Sequence, residues 1–524
     1  PASPGVYAPL DEALTYPTVA ANGAMYLVRE VRGSDGARST YRYEGARARL
    51  DGRGFLGFRR VTMRDEVNRI ELMQQFRVDP PFEGRVEYSE RRWSAPDGRV
   101  ILIGRSRNDV AFHPGYPKPG IGGFVDAVVQ TGAVEESFDL SGGTLPSITT
   151  VSSGHQNGSP STMVLTTALG AEALRKTTSV TFQSNEATWV LNSIVRSTTT
   201  SEWTGALPIV HTAATTYLPN GLVENDTVEP GNAAFEVTTH YDYDALGHVV
   251  RKTVSAADGT PPRTVSTQYA DPRFMTASVN QLGHATGGAY DARFGKVTRA
   301  VDVNGLVSED EYDAFGRKRR GKLPSGVETT TELRFCDASC PPFAVMWGES
   351  KTTGGATQRA YMDNLGREVT TEVEGWDGKW VRSEKRYDAA GRVRAQSTPA
   401  YIGEPVYWSE TEYDALGRVI RATAADGGVS SARYDGLLTV STDALGRTAR
   451  SVKNAAGWVA RNVDAVGSAI TFTYDAEGHA VVVTDPRDVK HTTTFDMRGR
   501  RIKETSPDLG AVTLTHNAFG ELVK

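Results

Sequence analysis

The most reactive side chains of this 524-residue chain are its two cysteines, Cys336 and Cys340. Three residues separate them, and the Pro341-Pro342 pair that follows favours a turn of the backbone. A turn would let the thiols close a small disulfide loop, with two free thiols or half of a metal site as the alternatives. The neighbouring sequence has no second Cys or His pair to complete a metal site. A disulfide would favour an oxidising compartment.

Two tryptophans, Trp376 and Trp380, flank a tight turn at Asp377-Gly378. Exposed indoles on a β surface can stack on sugar rings, so this pair is a candidate carbohydrate contact. The alternative is that both rings pack against adjacent strands, as buried tryptophans do when they find partners. The spacing alone is compatible with both interpretations.

Other reactive patterns fail on their spacing. The segment from Gly316 to Lys322 has the glycine and lysine spacing of a phosphate-binding loop, but Leu323 stands where Ser or Thr is needed. At Asp302-Val-Asn304-Gly305 the glycine is fourth instead of sixth, so a calcium loop is not formed. The sequence also lacks a His-Glu-x-x-His pattern and a Gly-x-Ser-x-Gly elbow. We therefore expect no catalytic residue, no cofactor and no metal.

The elements that must position these residues come from a repeat, Tyr-Asp-x-x-Gly-Arg. A fixed-period repeat outweighs other sequence signals because it dictates the architecture. Some copies are intact, some end in His, and some retain only the aspartate and glycine. The copies place these residues at equivalent positions: Tyr243, Asp244 and Gly247; Tyr312, Asp313, Gly316 and Arg317; Tyr387, Asp388, Gly391 and Arg392; Tyr413, Asp414, Gly417 and Arg418; Tyr474, Asp475 and Gly478; Asp496 and Gly499.

The spacing of the repeat predicts a β-hairpin as its unit. Asn454, Asp475, Asp496 and Asn517 lie 21 residues apart, and Asp443, Asp464 and Asp485 form a second series between them. A turn every 10 or 11 residues leaves about six or seven residues for each strand. Helical repeats have longer periods and two helices in each unit. The fold class is therefore all-β, built from hairpins.

The residue types of the motif are those of a turn between strands. Aspartate can accept backbone hydrogen bonds two residues on, and glycine supplies a positive φ. Tyrosine favours a strand, and we expect its ring to stack on the corresponding ring one hairpin along. The arginine or histidine after glycine starts the returning strand and can extend over its neighbours.

These copies resemble the YD repeats of the bacterial Rhs family, which also occur in insecticidal toxin complexes and in animal teneurins. The stretch from Tyr41 to Phe58 is similar to the segment before the repeats in toxin-complex B components. The resemblance implies one continuous antiparallel sheet of hairpins that spirals around a hollow interior. It also implies a non-catalytic shell that encloses and protects a toxin or effector domain. A cell-surface adhesion or carbohydrate-binding array is the alternative function.

The resemblance extends to partners and location. The implied partners are the remainder of a longer chain, an enclosed C-terminal toxin domain and a second shell subunit, with glycans in the alternative reading. The implied location is outside the cell or on its surface, in a Gram-negative bacterium. The family cleaves itself at Asp-Pro-x-Gly, whereas the residues after the Asp-Pro pairs at Asp79, Asp271 and Asp485 differ from that site. Self-cleavage is therefore not expected here.

Composition is consistent with this picture. With 58 Lys and Arg against 63 Asp and Glu, the net charge is -5, which points neither to nucleic acid nor to an anionic membrane. No apolar run is long enough for a membrane span. The chain starts at Pro1 without an initiator methionine, so we expect that it is cut from a longer protein.

Four segments are predicted along the chain. Residues 1–24 form a loose lead-in, 25–123 a β-rich segment, 124–235 a Ser/Thr-rich β segment and 236–524 the repeats. Turns are expected at 34–36, 51–52 and 97–98 in the second segment, and the Pro/Gly-rich stretch 113–123 is a candidate boundary. The one helix predicted spans residues 168–176.

Overall fold

A computed structural model describes residues 5–21, 23, 25–33, 36–118, 123–185, 187, 188 and 190–524 of the chain. Within these residues the secondary structure is entirely β, and 41 strands form a single sheet. The predicted all-β fold is confirmed. The expected turn at 34–36 falls partly outside the described residues, as does part of the stretch 113–123.

The first fifteen strands lie before the repeats, and many of them are long. They are β1 (Tyr7–Ala8), β2 (Thr18–Ala20), β3 (Glu30–Arg32), β4 (Arg38–Arg49), β5 (Gly54–Asp65), β6 (Ile70–Phe76), β7 (Val86–Ser94), β8 (Val100–Lys118), β9 (Gly123–Ser137), β10 (Ser147–Ser153), β11 (Thr162–Leu169), β12 (Glu172–Asn185), β13 (Val190–Trp203), β14 (Ile209–Tyr217) and β15 (Val223–Val228).

The repeat region contributes shorter strands. The first of these are β16 (Val237–Tyr243), β17 (Val249–Ala256), β18 (Arg263–Asp271), β19 (Phe274–Asn280), β20 (Ala285–Asp291), β21 (Lys296–Val301), β22 (Val307–Tyr312), β23 (Lys318–Lys322), β24 (Glu328–Phe335), β25 (Met346–Thr352), β26 (Gln358–Met362), β27 (Glu368–Glu374), β28 (Trp380–Tyr387), β29 (Val393–Ser397) and β30 (Ala400–Tyr401). The last are β31 (Trp408–Tyr413), β32 (Val419–Thr423), β33 (Val429–Asp435), β34 (Leu438–Thr442), β35 (Thr448–Lys453), β36 (Val459–Val463), β37 (Ala469–Tyr474), β38 (Ala480–Thr484), β39 (Lys490–Phe495), β40 (Arg501–Ser506) and β41 (Gly510–Thr513).

Consecutive strands pair antiparallel from β4 to β28, as expected for an array of hairpins. The strands β31 to β40 have five to seven residues, close to the predicted length of six or seven. Small side chains make up much of the buried apolar set, including Ala46, Ala476 and Ala518, each at 0% exposure. The sheet is therefore stabilised mainly by strand pairing and by contacts between neighbouring turns.

The predicted helix at residues 168–176 is wrong. The segment is the hairpin between β11 and β12, in which Ala168 pairs with Ala173 and Leu169 with Glu172. The physical reason is register: β12 also pairs with β13 along most of its length, so a helix here would break two ladders.

One edge of the sheet is covered by the N-terminal residues. The strand β4 pairs with β5 on one side and, on the other, with the three short strands β1, β2 and β3 at different places along its length. Short strands of this kind shield the open N–H and C=O groups of an edge. The N-terminal lead-in is thus an edge cover.

The sheet forks at β28. Its residues Lys385–Tyr387 pair with β29, whereas Val381 and Arg382 pair with β30, and β29 then pairs with β31. Because β29 and β30 occupy one strand position in succession, the direction of odd-numbered strands reverses after the fork. We call β4–β28 the first layer and β31–β41 the second layer.

This reversal sorts the turns onto two rims. Turns of the complete repeat, at Asp244, Asp313, Asp388, Asp414, Asp475 and Asp496, all lie on one rim, which we call the YD rim. Turns at Asp258, Asp302, Asp443, Asp464 and Asp485 lie on the opposite rim, the plain rim.

In each of the six YD turns named above, the strand pairing contains a β-bulge beside the aromatic residue, as at Tyr243, Tyr413 and Tyr474. The bulge, which sequence reasoning did not predict, increases the local twist.

Candidate functional site

The aspartate of each YD turn holds the turn together through both carboxylate oxygens. In the turn at Asp414, Oδ1 accepts hydrogen bonds from the backbone N–H groups of Leu416 and Arg418, each at 2.9 Å. Its Oδ2 accepts from Arg418 Nε at 2.7 Å. The N–H of Gly417 bonds the aspartate carbonyl at 3.0 Å, with glycine at a φ of 83°. The predicted turn chemistry is therefore present, with a guanidinium added.

The turn leaves one donor without a partner inside it. The N–H groups of the third, fourth and fifth residues are all engaged within the turn, and Asp414 N itself donates to the carbonyl of Arg418. The N–H of the second residue, usually alanine, points outward. A turn of this kind therefore presents a small side chain and one unsatisfied donor to whatever lies beyond the rim.

The tyrosine anchors each hairpin to the preceding one. Tyr413 Oη donates to the carbonyl of Val393 at 2.9 Å, and Tyr474 Oη to that of Val459 at 2.6 Å. Burial raises the pKa of Tyr474, which is consistent with a hydroxyl held inside the wall. The same bond recurs from Tyr243, Tyr312, Tyr387 and Tyr434.

The tyrosine ring packs on the cation of the preceding YD turn. Arg392 lies 4.6 Å from the ring centre of Tyr413, and Arg367 lies 4.6 Å from that of Tyr387. The predicted stacking of successive tyrosines is replaced by this cation–π contact. The reason is distance, since equivalent tyrosines are two strands, or about 10 Å, apart, and a long arginine side chain spans that gap.

Electrostatic effects in the YD turns favour the charged forms. The side chain and then the backbone N–H of His248 lower the pKa of Asp244, and Asp244 in turn raises the pKa of His248. Hydrogen bonds from the backbone N–H of Arg317, and also from its side chain, lower the pKa of Asp313. The carboxylates thus remain ionised over the neutral range and retain their acceptor role.

The YD rim of the second layer docks on the plain rim of the first. The backbone N–H of Ala455 donates to Glu172 Oε2 at 2.8 Å, and that of Ala518 donates to Asp258 Oδ2 at 2.6 Å. These partners are 283 and 260 residues apart in sequence. In both cases a carboxylate of the first layer accepts the outward donor of a second-layer turn. We call this line of contacts the seam.

A buried ion pair between Asp139 and Arg418 lies at one end of the seam. Asp139, at 0% exposure, accepts from Arg418 Nη2 at 2.7 Å and from the backbone N–H of Gly436 at 2.7 Å. Burial acts to raise the pKa of Asp139, but the hydrogen bonds from Arg418 and Gly436 outweigh it and lower that pKa. Buried charges persist where they are paired and hydrogen-bonded in this way.

Further along, the seam contains a histidine and aromatic rings. His211 lies between two glutamates, with Nδ1 2.8 Å from Glu229 Oε1 and Nε2 2.9 Å from Glu477 Oε1. Trp203 of the first layer meets Trp458 of the second edge to face, with ring centres 5.1 Å apart. The seam therefore combines charge pairing with aromatic packing, as stable interfaces do.

The seam defines the size of one turn of the spiral. The strands β18 to β41 lie between Asp258 and Ala518 in sequence, and these twenty-four strands fill twenty-three positions because β29 and β30 share one. At about 4.8 Å between neighbouring strands, the circumference is roughly 110 Å, or about 35 Å across if the turn is circular. A turn of this diameter is wider than a β-barrel of eight strands, whose interior is filled by side chains.

The structure places the cysteines and tryptophans of the sequence analysis in two different turns. Cys336 and Cys340 form a disulfide, with Cα atoms 5.7 Å apart, in the loop between β24 and β25. Trp376 is 98% exposed at the tip of its turn, whereas Trp380 lies under Arg359, 4.1 Å from its ring centre. The two indoles therefore have different surroundings.

The rejected motifs are parts of strands and turns. The basic residues after Gly316 form β23, where Arg320 pairs with Glu311 and Glu328. Asp302 Oδ1 accepts from the backbone N–H groups of Asn304 and Leu306, as in other Asp-x-x-Gly turns. Among the described residues, no group of three or more His, Cys, Asp or Glu side chains could hold a metal ion. None of the described segments is a helix long and apolar enough to span a membrane.

Sequence reasoning missed the first-layer residues of the seam. Asp139, Glu172, His211 and Asp258 stand outside the complete repeats, and nothing in their local sequence distinguishes them. The available signal was indirect: the alanine in the second position of many YD turns, including Ala455, Ala476 and Ala518. A small residue at an outward position permits the close approach of another surface.

Comparison with known proteins gives similarity in structure alone. No protein-family model matches the chain, and no curated protein matches it. The crystal structure of TcdB2-TccC3 superposes with a TM-score of 0.74 at 12% identity, over 94% of this chain and 37% of that one. The same complex without its hypervariable C-terminal region gives 0.73 at 11% identity, over 94% of this chain and 39% of that one.

A further match is the Photorhabdus luminescens Tc holotoxin pore with a mutated TccC3. Its TM-score is 0.72 at 12% identity, over 93% of this chain and 38% of that one. The chain therefore spans less than two fifths of the length of each of these three solved structures. The predicted resemblance to YD-repeat toxin shells is confirmed at the level of the fold: this chain folds as the corresponding part of the TcdB2-TccC3 complex does.

Proposed function

We propose that this chain is part of the wall of a shell that encloses and protects a toxin or effector polypeptide. The seam is the observation that carries this proposal, because it turns an open sheet into a wall that returns on itself. Its contacts run in order from Asp139 to Asp258 in the first layer and from Arg418 to Ala518 in the second. A continuous seam excludes proteases and other proteins in solution from the space that the sheet would enclose.

The mechanism is steric. The charged groups that recur most often, the aspartates and arginines of YD turns, bond within the turn or across the seam. We assign no chemical step to the wall itself. Similarity in fold to TcdB2-TccC3 supports this proposal, because that structure joins two components and has a C-terminal region described as hypervariable.

Partners and location follow from the same proposal. The wall would be completed by more of its own chain or by a second subunit, and it would enclose a C-terminal toxin domain. The holotoxin pore among the structural matches supports an extracellular or cell-surface location. A Gram-negative source remains part of the proposal, resting on the resemblance in sequence.

Protease protection tests the proposal. The experiment uses the whole polypeptide in which this chain occurs, treated with trypsin and followed by mass spectrometry. We expect that a polypeptide without the repeat sequence resists trypsin, and that electron microscopy shows a hollow particle. The Arg418→Ala variant should lose protection, because it removes the partner of Asp139, whereas Arg392→Ala should retain it. Equal digestion of all parts in the intact protein would overturn the proposal.

A second candidate function rests on Trp376. Its indole is 98% exposed, and a flat exposed ring is what a sugar-binding surface offers. Trp380 would contribute less, because Arg359 covers one of its faces. A glycan array with the chain and its Trp376→Ala variant tests this function. Binding that disappears in the variant supports adhesion, and an array without signal contradicts it.

A further inference from the structure

The contact of His211 with two glutamates sets a proton requirement on the seam. Its Nδ1 lies 2.8 Å from Glu229 Oε1 of the first layer, and its Nε2 lies 2.9 Å from Glu477 Oε1 of the second. A neutral imidazole has one donor and one acceptor nitrogen, and an ionised carboxylate has acceptors only. Both contacts are therefore hydrogen bonds only if the three groups together hold one proton more than a neutral histidine and two ionised glutamates.

The two carboxylates share this histidine as their only described ionic partner. Glu229 is 5% exposed, and its Oε2 accepts from the backbone N–H of Thr212 at 3.2 Å. Among the described residues, neither glutamate has an ion pair other than the one with His211. A buried carboxylate persists where it is paired and hydrogen-bonded, and a doubly protonated imidazole supplies that partner to both glutamates at once.

The other charged groups near His211 are engaged elsewhere or lie further away. On β13 its paired residue is the uncharged Thr199. On β15, Asp226 accepts from a threonine hydroxyl of β14 at 3.2 Å. In the second-layer turn, Asp475 lies 2.8 Å from the histidine of its own turn. Lys176 of β12 is exposed and lies beyond β13, two strands or about 10 Å away.

The backbone fixes both glutamates. Glu229 has a φ of 52°, a left-handed conformation that is unfavourable for residues other than glycine, and its N–H bonds the carbonyl of Thr212 at 2.8 Å. Strain of this kind is found mainly at functional positions. The N–H of Glu477 bonds Asp475 Oδ1 at 2.9 Å, so the YD turn holds it. In the neighbouring docked turns this position has an uncharged or basic residue: Leu416, Ala456, Arg498 and Phe519.

The remaining polar contacts of the seam respond to pH in the opposite direction. Asp139, Glu172 and Asp258 accept backbone N–H groups across the seam at 2.7, 2.8 and 2.6 Å. Amide donors do not titrate, and carboxylates are ionised at neutral and alkaline pH, so these contacts persist as the pH rises. At His211 the closed seam holds more protons than the open one, so its stability falls as the pH rises through the range where that proton is lost.

We propose that closure of the seam takes up one proton at the site of Glu229, His211 and Glu477, and that alkaline pH loosens the docking of the turn at Asp475. When the proton leaves to solvent, one imidazole nitrogen presents its lone pair to a carboxylate, and the two repel each other. The inference concerns the seam alone. It holds whether or not the shell encloses a toxin or effector.

Thiol labelling at the seam tests this inference. Ala476 is 0% exposed beside Glu477, and Ala245 is the exposed equivalent in an undocked turn. A cysteine at either position is the only free thiol, because Cys336 and Cys340 form the disulfide. The ratio of the maleimide labelling rate of Ala476→Cys to that of Ala245→Cys removes the intrinsic pH dependence of the reaction. We expect this ratio to rise at least about fivefold from about pH 6 to about pH 8, since loss of one proton shifts an opening equilibrium by up to about tenfold per pH unit.

The Glu477→Gln variant separates the proton from the contact. The glutamine amide donates to the acceptor nitrogen of a neutral His211, so both bonds form without the extra proton. The labelling ratio should then change by less than about twofold over the same pH range. A flat ratio without this substitution overturns the proposal. An equally steep rise in the variant also overturns it, as does free labelling of Ala476→Cys at every pH.

Urea unfolding provides a second measurement that needs no cysteine. The urea midpoint of the unsubstituted chain should fall relative to that of Glu477→Gln as the pH rises from about 6 to about 8. The sign follows from the extra proton, which the folded chain binds and the unfolded chain does not. Midpoints that move together over this range show that the site binds no additional proton, and they overturn the proposal.

Discussion

Two turns of the same type, Tyr243–His248 and Tyr474–His479, have different surroundings. Both have the sequence Tyr-Asp-Ala-x-Gly-His, and in both the histidine Nδ1 lies 2.8 Å from the aspartate Oδ2. In the first layer Ala245 and Leu246 face solvent, the leucine at 69% exposure. In the second layer Ala476 is 0% exposed and Glu477 meets His211. Identical local geometry therefore serves as a free rim in one place and as an interface in the other.

The comparison separates the free energy that bonds within a turn contribute to folding from the free energy that the seam contributes. Bonds within the turn span four residues and form wherever the motif occurs. Seam bonds span 260 residues or more and need a partner carboxylate on the other layer. The same substitution in a docked turn and in an undocked turn should therefore remove the same bonds within the turn. Only in the docked turn should it also weaken the seam.

The largest difference is expected for Arg418→Ala against Arg392→Ala. Each arginine pairs with its own aspartate and covers a tyrosine ring, but only Arg418 also pairs with the buried Asp139. Removing one partner of a buried pair leaves an uncompensated charge, so Arg418→Ala should lower the free energy of unfolding by about 3 kcal/mol. Arg392→Ala should lower it by about 1 kcal/mol. Urea unfolding followed by circular dichroism measures both, and equal losses would contradict the role of the seam.

A smaller effect is expected from Ala476→Leu against Ala245→Leu. The added side chain at Ala476 has no space between the layers, and overpacking of this kind costs about 2 kcal/mol. At Ala245 the leucine projects into solvent and should change the free energy of unfolding by less than about 0.5 kcal/mol. Midpoints of urea unfolding report both changes. A neutral Ala476→Leu would mean that the layers are not in contact in solution.

The tyrosine hydroxyl should behave alike in both layers. Tyr474→Phe and Tyr243→Phe each remove one bond to a backbone carbonyl, of Val459 and Val223 respectively. Each substitution should cost about 1 kcal/mol of unfolding free energy, because the bond is internal to neighbouring hairpins. The same urea titrations provide the comparison. A clearly larger loss at Tyr474 would show that the seam depends on the anchor as well.

The smallest effect is a dependence on acid. The backbone N–H of Ala518 lowers the pKa of Asp258 below the ordinary value of about 3.9. A lowered pKa means stability that is present above that ordinary value and is lost as the pH falls through the lowered one. The urea midpoint of the chain should therefore fall further between pH 5 and about 3 than that of the Asp258→Asn variant. If the urea midpoints of the two proteins fall equally as the pH is lowered, Asp258 does not contribute to the acid dependence of stability.

Much of the wall was predictable from sequence because its bonds are short in range. The carboxylate of Asp414, the φ of Gly417 and the guanidinium of Arg418 act within five residues, so spacing and residue type suffice to predict the turn. The disulfide was one of three alternatives that the spacing of Cys336 and Cys340 left open. The β-bulge beside each motif tyrosine and the cation on its ring depend on the neighbouring strand and were not predicted.

The helix predicted at 168–176 failed for the opposite reason. Residues there have adequate helix propensity, but β12 is paired with a strand on each side over many residues. Tertiary pairing outweighs local preference in such a position.

The sequence by itself determined the hairpin, its period of 21 residues and the all-β class, since local hydrogen bonds and turn conformations depend only on neighbouring residues. The tertiary structure alone decided which turns dock. That choice depends on the fork at β28, which places the YD turns of both layers on the same rim, and on the twenty-four strands that bring Ala518 to Asp258. Contacts between residues so far apart arise from the summed twist of many strands, a quantity that no single repeat contains.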